Sequence, residues 1–373
     1  MELRRRIRHA LMAFALPAFG IWLAVAAILA GDAALRSRTR LNPKYSEWFF
    51  VENVNHFLEP NLPDWPPTNA DGIRSRREAG DFPRGGNNIV FLGDSFVFGY
   101  NVRVDEALPA GVEALLNDRM PGADIRIANF GWISASPFVE NRLFGRIAHR
   151  YHPKLVVLGL DMTDFHDDIK YELMHWRRGL YRFYDVFPVT LSVFRDHAPE
   201  LFWKVHSWSL GNRLPRQKFF ACEQPLEASR PLLAVTLENL RTIDRSAKLL
   251  GARFVLVVLP RAFQHSRTES PDNWEKDLYS VMGSYSREPF RYFAEAADRV
   301  DFPIYSLLPA FERATDFPLY ARDDPHWTRT GTAVAARAVA DILAFESGWG
   351  RDAQANGLAE RVTRLRLPPA ASN

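Results

Sequence analysis

The sequence contains a single cysteine, Cys222. An intramolecular disulfide is therefore impossible, and a metal site built from several thiolates is excluded. The sequence also has little excess of one charge over the other, because its formal net charge is only +3. The N-terminal arginines account for more than that excess. These arginines are Arg4, Arg5, Arg6 and Arg8. The remainder carries no basic stripe, so we expect no nucleic-acid partner.

Long apolar runs are absent except at the N-terminus, where residues 10–30 follow a basic segment at 1–9. This run is long enough to cross a bilayer as a helix, and we predict a single-pass transmembrane anchor. Its uniform apolarity argues against a buried core helix, which would show one apolar face. A cleavable signal peptide is the alternative, with Gly31-Asp32-Ala33 as a weak cleavage site. The preceding arginines favour a periplasmic or extracellular position for the residues after the run, although basic residues there weaken that asymmetry.

Residues 31–86 are rich in proline and show no sustained periodicity, which predicts a stalk that packs partly on the domain. Residues 87–346 alternate short apolar strands with helical stretches, and residues 347–373 are predicted to be a polar tail. Such alternation favours an α/β fold, a three-layer α/β/α doubly wound parallel sheet. The predicted strands are 89–92, 124–129, 155–160, 253–259 and 303–306, and the predicted helices are 106–119, 138–151, 232–250 and 330–345.

Two stretches interrupt this alternation, at 165–225 and 261–300. The first is an aromatic-rich insertion. We expect its rings to form the small core of a helical lid, with an acyl or sugar pocket as the alternative.

The first chemical motif is Gly93-Asp94-Ser95, at the end of the apolar strand 89–92. Ligands bind beyond the carboxyl ends of parallel strands, so Ser95 is predicted to meet a substrate there. Gly93 permits a sharp turn, and the Asp94 carboxylate can accept loop amides and hold the turn. The alternative is an ordinary turn in which the serine only caps a helix.

A serine nucleophile needs a neighbouring base, which is usually a histidine oriented by a third group. His326 lies before the last predicted helix, and Asp323 precedes it by three residues on the same loop. This spacing lets the Asp323 carboxylate accept the Nδ1 proton, which leaves Nε2 for Ser95. Another cluster, His166 with Asp167 and Asp168, lacks a third well-spaced ligand, and we predict neither a metal nor a cofactor.

Donors for an oxyanion are the third requirement. Asn129-Phe130-Gly131 ends the second predicted strand, where the Gly131 amide can point into the site. A further donor should follow the strand 155–160.

Together, Gly93-Asp94-Ser95, Asn129-Phe130-Gly131 and Asp323-Asp324-Pro325-His326 resemble blocks one, two and five of the SGNH/GDSL hydrolases. The segments 69–74 and 91–102 resemble the bacterial membrane-anchored branch of that family. The resemblance implies a flavodoxin-like fold in which Ser95 attacks an ester carbonyl, His326 acts as base and then acid, and Asp323 orients it. It also implies that the amides of Ser95 and Gly131 hold the oxyanion. One position departs from the pattern, since Thr163 stands where the third block has an asparagine.

Two hypotheses follow. The first is a serine esterase or O-acyltransferase that acts on an ester, such as an acetylated envelope glycan or a small molecule. The second is a catalytically weakened SGNH-like protein that binds a glycan or a protein partner in the same cleft. Thr163 motivates the second hypothesis, because the loss of one oxyanion donor can cost about 10²- to 10³-fold in rate.

Overall fold

The computed structural model describes residues 2–36, 67–176, 180, 188–210, 213–347 and 357–367. The chain divides into two compact units. One contains Met1–Trp48 and Leu173–Arg213, and the other contains Phe49–Glu172 and Leu214–Asn373. Most of the predicted stalk and parts of the predicted insertion and tail lie outside the described residues.

The larger unit is built on a parallel sheet of five strands in the order β2-β1-β3-β4-β5. The strands are β1 Asn87–Gly93, β2 Ile125–Gly131, β3 Leu155–Leu160, β4 Arg253–Val258 and β5 Ile304–Ser306. This is the flavodoxin-like order, in which the chain reverses direction across the sheet between β1 and β3. The predicted doubly wound α/β fold is confirmed.

Helices cover both faces of this sheet. Those of the larger unit are α2 Ser95–Phe98, α3 Leu108–Arg119, α4 Pro137–Ile147, α5 Asp164–His175, α8 Phe220–Glu223, α9 Leu226–Leu249, α10 Glu288–Ala296, α11 Leu308–Glu312, α12 Arg329–Ser347 and α13 Leu358–Thr363. α3 packs with α12 and α4 packs with α9, which forms the two outer layers. Short 3-10 helices span Ala79–Asp81, Val104–Glu106, Ala148–Tyr151, Ala262–Gln264, Lys276–Leu278 and Ala297–Arg299.

The central strands bury side chains on both faces, which explains their nearly continuous apolar sequence. In β1, Ile89 and Phe91 join the core beneath α3 and α12, while Val90 and Leu92 alternate with them and are also fully buried. The strands 155–160 and 253–259 show the same apolar pattern, and this is why the sequence predicts them closely.

Two segments outside the alternating region also pack on this unit. Arg74 is buried and donates hydrogen bonds to the carbonyls of Phe98, Gly99 and Val102, so this part of the predicted stalk holds the loop after α2. α13, within the predicted polar tail, buries Leu358 and Val362 in the core. Residues 357–367 of the predicted tail are thus part of this unit, because their apolar residues are spaced for one helical face.

The smaller unit contains the N-terminal helix α1 (Glu2–Arg36), α6 (Pro188–His197) and α7 (Pro199–Leu210). Within α1, residues Pro17–Ala34 are long and apolar enough to cross a membrane. A signal sequence would satisfy the same criterion, so both alternatives from the sequence stay open. Asp32 is buried and accepts hydrogen bonds from the backbone N–H and hydroxyl of Thr190, in the first turn of α6.

Candidate active site

Three glycines lie side by side where β2, β1 and β3 end: Gly131 pairs with Gly93, and Gly93 pairs with Gly159. A Cβ atom on Gly93 would lie 2.3 Å from a Val97 methyl group, and one on Gly131 would lie 2.2 Å from the Phe98 nitrogen. No side chain fits at these distances. The absence of side chains at these glycines therefore lets α2 pack directly against the ends of the strands, at the carboxyl end of β1.

Asp94 turns the chain from β1 into α2. Its Oδ1 accepts the Phe96 backbone N–H at 2.9 Å, which caps the short helix. The preceding Gly93 has φ +152°, which L side chains rarely adopt. Ser95 is consequently the first residue of α2, at the junction of β1 and β3 where ligands bind in folds of this order.

Ser95 and His326 come from remote parts of the chain and meet at this sheet edge. The His326 Nε2 atom lies 2.7 Å from the Ser95 Oγ atom. On the other side of the ring, Nδ1 lies 2.6 Å from Asp324 Oδ1. With the proton on Nδ1, Asp324 accepts it and Nε2 is left to accept the serine proton.

The carboxylate that contacts His326 is Asp324, whereas the sequence analysis predicted Asp323. Asp324 Oδ1 also accepts the backbone N–H of His326 at 2.8 Å, so the side chain closes a tight turn over Pro325. That turn aims Asp324 at the ring, while Asp323 is exposed to solvent. A turn of this kind needs an offset of two residues, and the doubled aspartate was the signal available in the sequence.

The pKa of Asp324 lies below its ordinary value. Burial alone would raise it, but the hydrogen bonds from the ring and the backbone amide of His326 outweigh burial. Asp324 is therefore ionised near neutral pH and can stabilise a protonated imidazole.

Three aromatic rings surround His326. The buried Phe96 ring lies 5.0 Å from the imidazole centroid, on the protein side. The Tyr100 and Trp274 rings lie at 4.9 Å and 6.0 Å, and both are exposed. None of these three was identified from the sequence, since their proximity to His326 depends on tertiary structure.

The predicted oxyanion donors are arranged differently from expectation. Thr163 donates both its hydroxyl and its backbone N–H to Asp161 Oδ2, at 2.7 Å and 3.0 Å. The Gly131 amide donates to the side-chain oxygen of Asn129 at 2.9 Å. Both donors are thus engaged by local acceptors two residues away. The Ser95 amide is at a helix N-terminus, where backbone N–H groups have no intrahelical acceptor.

A buried network of charged groups, centred on Arg261, lies beside the site. Arg261 donates two hydrogen bonds of 2.6 Å to Asp161 and one of 2.9 Å to Glu275, and its guanidinium lies 4.8 Å from the centre of the Phe96 ring. Burial would raise the pKa of Asp161, but Arg261 outweighs burial and lowers it. This network links the loop after β3, the loop after β4 and the ring beneath His326.

Behind Ser95 lies a group of buried carboxyl groups. Asp94, Asp161 and Asp164 each offer an oxygen within 4.8 Å of the others, so within the described part of the chain they are a group that could hold a cation. Burial, together with Asp161, raises the pKa of Asp94 to about 8. Burial and neighbouring carboxylates also raise the pKa values of Asp164 and Glu140 well above the ordinary range. Near neutral pH this group is therefore mostly protonated, with Arg261 balancing the charge of Asp161.

In the alternative cluster at 166–168, His166 and Asp167 contact each other, with 3.4 Å between Nδ1 and Oδ1. His166 also contacts the Pro215 carbonyl at 3.2 Å, and Asp167 pairs with Lys170 at 3.0 Å. Asp168 has a different partner, since it accepts the Phe138 backbone N–H at 2.8 Å.

Comparison with known proteins gives one family match. Residues 219–366 match the SGNH hydrolase-like domain of the acetyltransferase AlgX. The matched range includes Asp324 and His326 and begins after Ser95. No curated protein sequence matches the chain.

Solved structures that are similar to this chain include the following two. The crystal structure of TesA is 14% identical, with 69% of this chain and 97% of that chain covered and a TM-score of 0.39. A catalytic mutant of Axe2, an acetylxylan esterase from Geobacillus stearothermophilus, is 16% identical, with 72% and 96% covered and a TM-score of 0.40.

The predicted membrane-anchored branch stays a prediction. The match over residues 219–366 confirms the predicted resemblance to SGNH hydrolases for that part of the chain.

Proposed function

We propose that this protein is a serine esterase or O-acyltransferase in which Ser95 is the nucleophile, His326 the base and Asp324 the group that orients His326. The observation that carries the proposal is the hydrogen-bonded series from Ser95 Oγ to His326 Nε2 at 2.7 Å and from Nδ1 to Asp324 at 2.6 Å. A serine activated by a histidine and an orienting carboxylate is an arrangement that catalyses acyl transfer.

The first half of the reaction forms an acyl-enzyme. Ser95 Oγ attacks the ester carbonyl carbon while its proton passes to His326 Nε2, and Asp324 stabilises the imidazolium. The resulting tetrahedral intermediate collapses when the C–O bond to the alcohol breaks and His326 protonates the departing oxygen.

The second half returns the enzyme to its starting state. A water molecule or an acceptor hydroxyl loses a proton to His326 and attacks the acyl carbon, and Ser95 leaves with that proton. Water gives an esterase and a sugar hydroxyl gives a transferase. An acetylated envelope glycan remains the proposed substrate, in keeping with the predicted anchor and a catalytic unit outside the cytoplasm.

Oxyanion stabilisation falls first to the Ser95 amide at the N-terminus of α2. The Gly131 amide could join it only by leaving Asn129, a change that substrate binding would have to drive. Donors preorganised for the oxyanion are usually the largest electrostatic contribution to acyl transfer. We therefore expect modest intrinsic turnover of simple esters.

The hydrogen bonds of Gly131 and Thr163 also favour the second candidate, a catalytically weakened protein that binds a glycan or a protein partner at this cleft. In that case the Ser95–His326 pair would persist without turnover. The two candidates differ in whether Ser95 reacts covalently.

Labelling with a fluorophosphonate probe separates them. We expect the purified protein to be labelled, labelling to disappear in Ser95→Ala, and labelling to fall strongly in His326→Ala. Ser284→Ala, which changes an exposed serine in the loop before α10 of the same unit, serves as the matched control and should label like the original chain. A folded protein that never labels would contradict the enzyme and favour the binder.

A further inference from the structure

Two exposed aromatic rings flank the imidazole of the proposed site. Tyr100 is 42% exposed and its ring lies 4.9 Å from the His326 ring, tilted by 34°. Trp274 is 61% exposed and its ring lies 6.0 Å away, tilted by 51°. Large apolar side chains that remain in water beside a reactive group are a common sign of a ligand contact.

The loop that carries Trp274 is firmly held. Its neighbours Asn273 and Glu275 are buried, and Glu275 accepts hydrogen bonds from Arg261 at 2.9 Å and Lys218 at 2.6 Å. Asn273 donates to the Ser270 carbonyl and to the Tyr279 hydroxyl. The exposure of Trp274 therefore belongs to an anchored loop, with a polar side chain fixed inward on each side of the ring.

The same loop is tied to the histidine loop. Ser270 Oγ donates to the Asp324 carbonyl at 2.8 Å, and Glu269 accepts the backbone N–H groups of Leu319 and Tyr320, both at 2.8 Å. These three hydrogen bonds hold the Trp274 loop against the His326 loop. The Tyr100 N–H donates to the Ser95 carbonyl at 3.1 Å, which ties the second ring to the nucleophile turn.

From this arrangement we infer that Trp274 and Tyr100 form a stacking site for a pyranose ring of the substrate, so that the ester oxygen it carries reaches Ser95. The inference rests on the proposed function and names the residues that bind its glycan substrate. A sugar presents C–H groups on its faces and hydroxyls around its rim, so it can cover an aromatic ring while its hydroxyls stay in water. The open position of both rings suits such a ligand, whereas a long acyl chain is better accommodated in an enclosed apolar pocket.

The test compares two esters on the full-length, detergent-solubilised protein. One is a mono-O-acetylated tetrasaccharide and the other is p-nitrophenyl acetate, which has no sugar. Trp274→Ala should lower kcat/KM for the tetrasaccharide at least tenfold more than for p-nitrophenyl acetate, mainly through KM. Trp274→Phe should restore most of the difference, while Trp274→Leu, which keeps apolar surface without a π face, should not.

An equal loss on both esters would overturn the inference, because it would mean that Trp274 only supports the fold. A Leu variant as active as Phe, or a larger loss on p-nitrophenyl octanoate than on the sugar ester, would overturn it in favour of an acyl contact. Isothermal titration of the Ser95→Ala protein with cellotetraose, xylotetraose and chitotetraose separates this inference from the proposed function. Binding that requires Trp274 supports the sugar site even when fluorophosphonate labelling is absent, and no binding to any of the three, together with no preference for the sugar ester, overturns it.

Discussion

Two sets of carboxyl groups lie near Ser95, and their environments give them opposite charge states. Asp324 is half-buried on the histidine loop, and its hydrogen bonds with His326 lower its pKa. Asp94, Asp164 and Glu140 lie behind the nucleophile, fully covered, and burial raises their pKa values. The same functional group is thus an ion where it must stabilise an imidazolium and is neutral where a charge would lack a partner.

The largest expected effect comes from a change at Asp324, the ionised carboxyl group. Asp324→Asn should lower kcat/KM by about 10⁴-fold, because an amide favours the wrong tautomer of His326. Asp323→Asn is the matched control, since the neighbouring side chain is exposed, and it should change kcat/KM by less than about twofold. Steady-state ester hydrolysis measures both, and the reverse order would restore Asp323 as the orienting residue.

A second prediction concerns Arg261, whose positive charge balances the negative charge of Asp161. Arg261→Met should lower the free energy of unfolding by about 3 to 5 kcal/mol, because it leaves Asp161 buried without a counter-charge. Arg245→Met removes a solvent-exposed pairing with Glu238 and should cost less than about 1 kcal/mol. Urea unfolding compares the two, and similar losses would show that burial does not set the energy of the Arg261 pair.

A third prediction uses the protonated carboxyl groups. A folded-state pKa raised above its unfolded value gives stability that is present at low pH and is lost as pH rises through the folded pKa. For Asp94 this loss spans the range from about pH 4 to about 8. We expect the free energy of unfolding to fall by on the order of 1 kcal/mol or more between pH 6 and pH 9.

The matched variant for this prediction is Glu140→Gln. An amide has nearly the shape of the protonated acid and cannot ionise, so the decrease in stability between pH 6 and pH 9 should become smaller. Denaturant unfolding at several pH values measures it. An unchanged decrease in the variant would indicate that Glu140 is ionised in the folded protein throughout this pH range.

The smallest expected effect concerns Thr163. Thr163→Val removes the hydroxyl that donates to Asp161 and should lower the free energy of unfolding by about 1 kcal/mol. Its kcat/KM should fall less than about threefold, whereas removal of an oxyanion donor costs about 10²- to 10³-fold. A loss in the larger range would return Thr163 to the oxyanion site.

The sequence predicted the strands well, since β1, β3 and β4 are apolar on both faces and end at turn residues. It also predicted the nucleophile turn and the histidine loop as separate features. The sequence was less successful in predicting the oxyanion donors and the hydrogen-bond partners of the site residues. Whether the Thr163 hydroxyl faces a substrate or Asp161 depends on how the loop after β3 closes, and periodicity carries no information on that.

The alternation of strand and helix, the apolar N-terminal run, and a serine and a histidine beyond two different strands were determined by the local sequence, because hydrophobic periodicity and turn residues are local properties. Tertiary structure alone decided that Asp324 rather than Asp323 meets the imidazole, that Arg261 neutralises Asp161, and that Tyr100 and Trp274 flank His326. Each of these contacts joins residues through a specific turn or across the sheet, where a change of one residue in offset turns a side chain from the site to the solvent.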